Sequence, residues 1–137
     1  MERIGGSILG EKTILSILNF KFPSYSIQKL FKLAMDQGNL KNIDMMVEDI
    51  YGNESGNLGL PNDLIASSLG KFGKMTPEEL AEQKVEDISR SLITAFAINV
   101  VHLTAVFLKK TGLEYAVILA DSFHHNRFYC LVQVFFV

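Results

Sequence analysis

The chain has 137 residues, of which 48% are hydrophobic and 20% charged, a balance typical of one globular domain rather than of a disordered segment. Its formal net charge of -2 and pI of about 5.9 give no general attraction to nucleic acid or anionic lipid, so neither partner is expected. One cysteine, Cys130, excludes an internal disulfide, and the three histidines lack the spacing of metal ligands.

The N-terminal residues lack the basic start and apolar run of a secretory leader, which together with the lone cysteine favours a cytoplasmic location. The most apolar stretch, residues 92–108, is interrupted by Thr94, Asn99, His102 and Thr104. A spanning helix needs about 20 predominantly apolar residues. The stretch is therefore predicted to be a buried helix, and no membrane partner is expected.

The first third of the chain is predicted to contain a loop, one short element and two helices. Residues 13–20 are mostly apolar, over a length that suits either a strand or a short helix. A helix is predicted from residues 23–24 to Gly38, since its apolar residues follow the spacing of one buried face. A second helix is predicted over residues 40–51 and ends at Gly52, so that the two form a helical hairpin.

The middle of the chain is predicted to be a loop followed by helix. Residues 52–61 are rich in Gly, Asn, Ser and Pro, which favour turns. Thr76 and Glu79 have the spacing of a capping box, which marks the start of a helix. This helix is expected to continue or restart near Glu86 and to run to Lys110.

The end of the chain is predicted to contain a strand and an apolar tail. Residues 115–120 form an apolar run after a turn, the pattern of a buried strand. Residues 128–137 are nearly all apolar and suit either a buried strand or an exposed sheet edge. A long helix followed by a buried strand predicts an α/β fold, and nothing marks a second domain.

Few patterns point to chemistry on their own. Glycines in residues 5–7 and 10–13 are of the kind that lets backbone amides approach a phosphate, although the pattern alone favours an ordinary turn. No serine or cysteine has the setting of a nucleophile. Three acidic residues are expected on the solvated face of the second helix: Asp44, Glu48 and Asp49.

Several segments, in the same order along the chain, resemble the eukaryotic-type pantothenate kinases. Residues 44–52, DMMVEDIYG, resemble the family's D-x-L-V-x-D-I-Y-G, and residues 59–71, GLPNDLIASSLGK, resemble its G-L-x-x-x-x-I-A-S-S-F-G-K. Residues 3–13, RIGGSILGEKT, resemble the family's glycine loop R-V-G-G-T-S-I-G-G-G-T, which favours a phosphate loop over a plain turn. The similarity continues more weakly through residues 86–92 and ends after residue 123.

This resemblance implies a fold and an activity. The fold would be α/β, a partial second lobe of an actin-like, ribonuclease H-like ATPase, over residues 1–123, followed by a divergent tail at 124–137. The family phosphorylates pantothenate with ATP and Mg²⁺, the first step of coenzyme A biosynthesis. Its members are usually homodimers that acyl-CoA inhibits, so pantothenate, acyl-CoA and a second copy of the chain are the implied partners.

The resemblance also implies site residues. Arg3 matches an arginine that contacts pantothenate, while Ile65 and Ala66 match residues that close the pocket from the neighbouring subunit. The positions that match the phosphate loop and nucleotide site are Gly5, Gly6, Ser7, Gly10, Thr13 and Asn99.

The chain departs from the family at several of these positions. Glu11 and Lys12 replace two loop glycines, His102 stands where the family's N-N-I-G has its glycine, and residues 121–123 lack the glycine of G-N-F. The family's base-bearing first lobe precedes the matched region, so no catalytic residue is nominated and the chain is expected to be inactive alone. Two alternatives stay open: a non-catalytic module that dimerises or binds acyl-CoA, and a gene-model artefact.

Overall fold

The structure, a computed structural model, describes residues 5–52, 59–114 and 116. This part of the chain is mixed α/β and mostly helical, with two short strands. The helices and strands, in chain order, are α1 (Glu11–Lys21), α2 (Ile27–Gln37), β1 (Met45–Met46), α3 (Val47–Tyr51), β2 (Ile65–Ser67), α4 (Pro77–Ala81) and α5 (Val85–Thr111). A 3-10 segment, Leu40–Asn42, precedes β1, and another, Gly70–Lys74, follows β2. The finer expectation of an actin-like second lobe stays a prediction.

The core lies where α5 packs against α1 and α2. Each helix presents apolar side chains at the three- and four-residue spacing of one face, so these side chains leave water together. Burial of each of the larger side chains among them contributes roughly 1.5–3 kcal/mol. The buried members are Ile14, Leu18, Leu30, Phe31, Ala34, Ile93, Phe96, Ala97 and Val101.

The predicted elements around α1 and α2 are largely confirmed. Residues 13–20 belong to α1, so the helix alternative is correct and the strand alternative is wrong. In α2 the cap is Ser26, whose hydroxyl accepts from the Lys29 N–H at 3.3 Å, rather than residues 23–24. Gly38 ends the helix as predicted.

The predicted second helix over residues 40–51 is wrong, and the helical hairpin with it. Only its last residues, Val47–Tyr51, are α-helical, although Gly52 does end them. Before them, β1 pairs antiparallel with β2, and the N–H of Val47 donates to the carbonyl of Leu64 at 2.9 Å. The backbone groups that a continuous helix would have used internally are thus bonded to a distant segment, a tertiary effect that helical spacing does not reveal.

The predicted capping box and long helix are confirmed. The Thr76 hydroxyl accepts from the Glu79 N–H at 3.2 Å, and the Glu79 carboxylate accepts from the Thr76 N–H at 2.8 Å. This box starts the short α4, and the chain restarts as α5 at Val85. Gly112, with a φ of 70°, ends α5 in the left-handed conformation that glycine favours. The predicted strand at 115–120, the boundary after 123 and the apolar tail lie outside the described residues.

The predicted burial of α5 holds for only part of its length. Its buried face reaches Val101, whereas Val106 is 60% exposed. Among the described residues, α5 is the one helix long and apolar enough to cross a membrane. The core helix of a globular protein passes the same criteria, and 39% of the most apolar stretch of α5 is buried inside the protein.

Candidate functional site

An open cleft of about 200 Å³ lies between β2 and the middle of α5. We call it the β2–α5 cleft. Its wall combines four apolar residues with three polar ones. The lining residues are Ile65, Ala66, Ser68, Ala95, Ile98, Asn99 and His102.

The α5 wall of the cleft follows from helical geometry. Ala95, Ile98, Asn99 and His102 are spaced by three, one and three residues, so they share one face over two turns. Their neighbour Ala97 points to the opposite side and is fully buried in the core. The helix therefore contacts the core with one face and lines the cleft with another.

The opposite wall is β2, which its neighbours hold in place. Met46 pairs with Ile65 and Met45 with Ser67, with an irregularity between the two pairs. After β2, the N–H of Lys71 donates to the carbonyl of Ile43 at 3.0 Å. Backbone hydrogen bonds thus hold β2 to β1 along one edge, and a further backbone bond, from Lys71 to Ile43, holds the chain just after β2.

Asn99, a lining residue of the cleft, has a side-chain oxygen without a hydrogen-bond partner among the described residues. This atom, Oδ1, is buried. A buried polar atom without a partner costs about 1–3 kcal/mol, so rotation of the Asn99 side chain toward a hydroxyl or amide N–H in the cleft would be favoured. His102 is exposed at the mouth of the cleft and Ser68 is half-buried.

The cleft brings together some of the predicted site residues. Ile65 and Ala66, predicted to bind substrate, line it together with Asn99, which was predicted for the nucleotide site. Their assignment to particular ligands stays a prediction. Arg3 lies outside the described residues.

The predicted phosphate loop has a different local structure from the one expected. Glu11 and Thr13 lie in the first turn of α1, with Gly10 as its N-cap, so residues 10–13 are not a loop. The glutamate occupies the positive end of the helix dipole, where a bound anion would otherwise be stabilised. The Glu11 carboxylate would thus repel the phosphate that the glycine spacing suggested.

The segment before α1 also departs from a phosphate cradle. A Cβ at Gly5 would lie 2.5 Å from the ring of Phe107, so this glycine permits a close approach to α5. Gly6 and Ser7 are exposed, and the Ser7 hydroxyl accepts from the Leu9 N–H at 3.0 Å. The tight packing at Gly5 is thus against the aromatic side chain of Phe107.

The expectation of a solvated acidic face is wrong for Asp44, which is fully buried. It is correct for the other two carboxylates, which lie at the surface in ion pairs: Glu48 with Lys41 at 2.9 Å, and Asp49 with Lys71 at 3.0 Å. A hydrogen bond from the Met46 N–H, with help from Lys71, holds the pKa of Asp49 below its ordinary value.

Sequence reasoning missed Ser68, Ala95, Ile98 and His102 as lining residues. The helical spacing from Asn99 would have found the three on α5, because positions three and four residues apart share its face. No local signal marks Ser68, which comes to the cleft through the pairing of β2 with β1.

The chain is similar in sequence to a known protein family and to several known proteins. A sequence model described as Fumble matches residues 1–132. A pantothenate kinase of Schizosaccharomyces pombe is 38% identical over 130 residues, which are 92% of this chain and 31% of the relative. Pantothenate kinase 1 of Oryza sativa is 36% identical over 115 residues, covering 82% and 16% of the two chains.

A mouse protein named 4'-phosphopantetheine phosphatase is 34% identical over 113 residues, covering 82% of this chain and 13% of the relative. The chain thus spans about a third or less of the length of these curated relatives. The matched stretch occurs in proteins named for two different reactions.

Proposed function

The chain belongs to the Fumble family, and we propose from that premise that it is a segment of a pantothenate kinase that contributes to binding pantothenate. The observation that carries the proposal is the β2–α5 cleft, which Ile65, Ala66 and Asn99 line together. These residues come from positions about 30 apart in the sequence, and the resemblance assigned all three to ligand contacts.

The chemistry of the cleft suits pantothenate. This small molecule carries a gem-dimethyl group, hydroxyls, one amide and a carboxylate. Ile65 and Ile98 offer apolar surface for the methyl groups, and the Asn99 side chain, whose Oδ1 has no partner among the described residues, can rotate to accept from a hydroxyl or from the amide N–H. The described lining residues include no lysine or arginine for the carboxylate, a role that the resemblance gives to Arg3.

The size of the cleft supports binding by an assembly. Ligand pockets usually measure about 300–1,000 Å³ and enclose most of the ligand, whereas this cleft has about 200 Å³ and is open on one side. We therefore propose that a second copy of the chain covers it, as the homodimers of the resemblance would. Acyl-CoA, which contains the pantothenate unit, is a proposed ligand of the same cleft.

Nucleotide binding does not fit the described residues. The name kinase implies ATP with Mg²⁺ for the family, but Glu11 stands at the helix end nearest the predicted phosphate loop. We assign no step of phosphoryl transfer to the described residues. No comparison supports the alternative of a non-catalytic module.

Calorimetric titration of pantothenate into the 137-residue chain tests the proposal. Ile65→Asp replaces an apolar side chain of the cleft with a carboxylate and is expected to abolish binding. The matched control is Leu64→Asp, because Leu64 is the adjacent residue, is 45% exposed and does not line the cleft. Equal affinities for the two variants, or no binding by the parent chain, would contradict the proposal.

A further inference from the structure

We propose that Asp44 is a positioning residue that fixes the width of the β2–α5 cleft. Its buried carboxylate connects the backbone behind β2 to α5 by two hydrogen bonds. The role in ligand binding rests on the proposed function. The mechanical role, holding β2 at a set distance from α5, is independent of it.

Both bonds are made by one oxygen atom. Oδ1 of Asp44 accepts from the N–H of Leu69 at 2.8 Å and from the hydroxyl of Ser91 at 2.5 Å. Asp44 and Ser91 are fully buried. A charged acceptor in a water-excluded site forms stronger hydrogen bonds than a neutral one, so this connection resists displacement of either element.

The two donors lie next to the two walls of the cleft. Leu69 follows the lining residue Ser68 directly, and Ser91 precedes the lining residue Ala95 by one helical turn on the same face. Asp44 therefore bonds to a residue beside each of the two walls. A change at this point alters the separation of the walls.

The backbone conformation at Leu69 depends on contacts with its surroundings. Leu69 has a φ of 54°, a conformation that is unfavourable for a residue other than glycine and persists only when its surroundings impose it. The next residue leaves no spare room, since a Cβ at Gly70 would lie 2.8 Å from the Cβ of Met45 and 2.9 Å from that of Ser67. The bond to Asp44 satisfies the Leu69 N–H in this crowded turn.

The arrangement is costly if its only purpose is stability. The second oxygen of Asp44, Oδ2, is buried with no hydrogen-bond partner among the described residues. Burial of an incompletely bonded carboxylate opposes folding, and apolar replacements of such groups are often more stable. A requirement for fixed geometry at the cleft accounts for keeping the carboxylate there.

Two serines of α5 provide a matched pair of variants. Ser91 and Ser89 are both fully buried, but the Ser89 hydroxyl has no partner among the described residues whereas Ser91 donates to Asp44. Ser91→Ala removes the connection, and Ser89→Ala removes a hydroxyl of the same kind that connects nothing. Both substitutions leave a good helix former in place.

Amide hydrogen exchange in the full chain measures the connection without a ligand. Loss of a hydrogen bond to a charged group, about 1.5–3 kcal/mol, corresponds to roughly tenfold or more faster exchange. Ser91→Ala is expected to produce this at the amides of residues 65–69 while the amides of α2 keep the parent rate. Ser89→Ala is expected to change neither. Uniformly faster exchange in both regions, or equal behaviour of the two variants, would overturn the proposal.

Titration with pantothenate then tests the link to binding. Ser91→Ala is expected to weaken binding at least threefold and Ser89→Ala to leave it unchanged. Asp44→Asn, which keeps an acceptor oxygen, is expected to retain more affinity than Asp44→Ala. If Ser91→Ala speeds exchange locally but binds like the parent, Asp44 does not act on the ligand. If the parent binds no pantothenate, the proposed function fails while the exchange result still decides the mechanical role.

Discussion

Replacement of Gly38 by alanine is expected to destabilise the chain by separating α2 from α5. The glycine has a φ of -66°, which alanine adopts without strain, so the backbone angle carries no cost. The cost comes from space, because a Cβ there would lie 2.7 Å from the carbonyl oxygen of Glu86 and 2.6 Å from the Cβ of Arg90, both in α5, as well as 2.6 Å from the carbonyl oxygen of Ala34 in α2 itself. Backbone oxygens cannot rotate away as the end of a side chain can, so the two helices must move apart.

The magnitude follows from two opposing effects. Overpacking in a close-packed interface costs about 1–3 kcal/mol, and the lower entropy of the unfolded alanine chain returns about 0.4–1 kcal/mol. The net loss is about 1–2 kcal/mol. For a chain of this length, 1 kcal/mol shifts the melting temperature by about 3.5 °C, so we expect a fall of roughly 3–7 °C.

Thermal unfolding followed by circular dichroism measures this shift. The matched control is Gly73→Ala, because a Cβ at Gly73 would meet nothing within 4 Å and its φ is not in the left-handed region. The control is expected to melt within about 1 °C of the parent or slightly higher. A Gly38→Ala variant that melts with its control would refute the close packing of α2 on α5.

Three further predictions concern other parts of the chain. Thr76→Ala, which removes the cap of α4, is expected to cost about 1 kcal/mol in denaturant unfolding, whereas Thr13→Ala, in the exposed first turn of α1, is expected to cost less. The pKa of Asp49 is lowered in the folded chain from 3.8 by the Met46 N–H and by Lys71, so its contribution to stability is present above about pH 4 and is lost as pH falls through the lower folded value. Asp49→Asn is thus expected to flatten the loss of stability below pH 4, and an unchanged acid limb would contradict this. Finally, the chain is expected to give no ATP-dependent phosphorylation of pantothenate, because the described residues that line the cleft include no carboxylate; radiolabel transfer above a blank without protein would show otherwise.

Local signals in the sequence predicted the helices well. The capping box at Thr76 and the exit at Gly112 depend on residues within one turn of the helix end, so the sequence contains all the information needed. The apolar faces of α2 and α5 could likewise be recognised from the spacing of apolar residues along the sequence. The helix proposed over residues 40–51 failed because a strand pairing with residues about 20 positions later determines that backbone.

The candidate site was predicted only in part, for the same reason. Ile65, Ala66 and Asn99 came from resemblance, and nothing in their own neighbourhoods indicated that they share a cleft. Asp44 was placed on a solvated face because helical spacing from Glu48 put it there, yet it is fully buried once β1 replaces the helix. The wrong secondary structure over residues 40–51 thus led to a wrong prediction of the burial of Asp44.

The central claim is that the β2–α5 cleft binds pantothenate, and nuclear magnetic resonance of the isotopically labelled chain tests it most directly. During titration with pantothenate, saturable chemical-shift changes are expected at Ile65, Ala66 and Asn99, with little change on α1. The rival location is a groove beside α1, lined by Lys12, Leu15, Ser16, Asn19 and Ile27. Shifts that cluster at that groove, or an absence of saturable shifts at the cleft, would contradict the account.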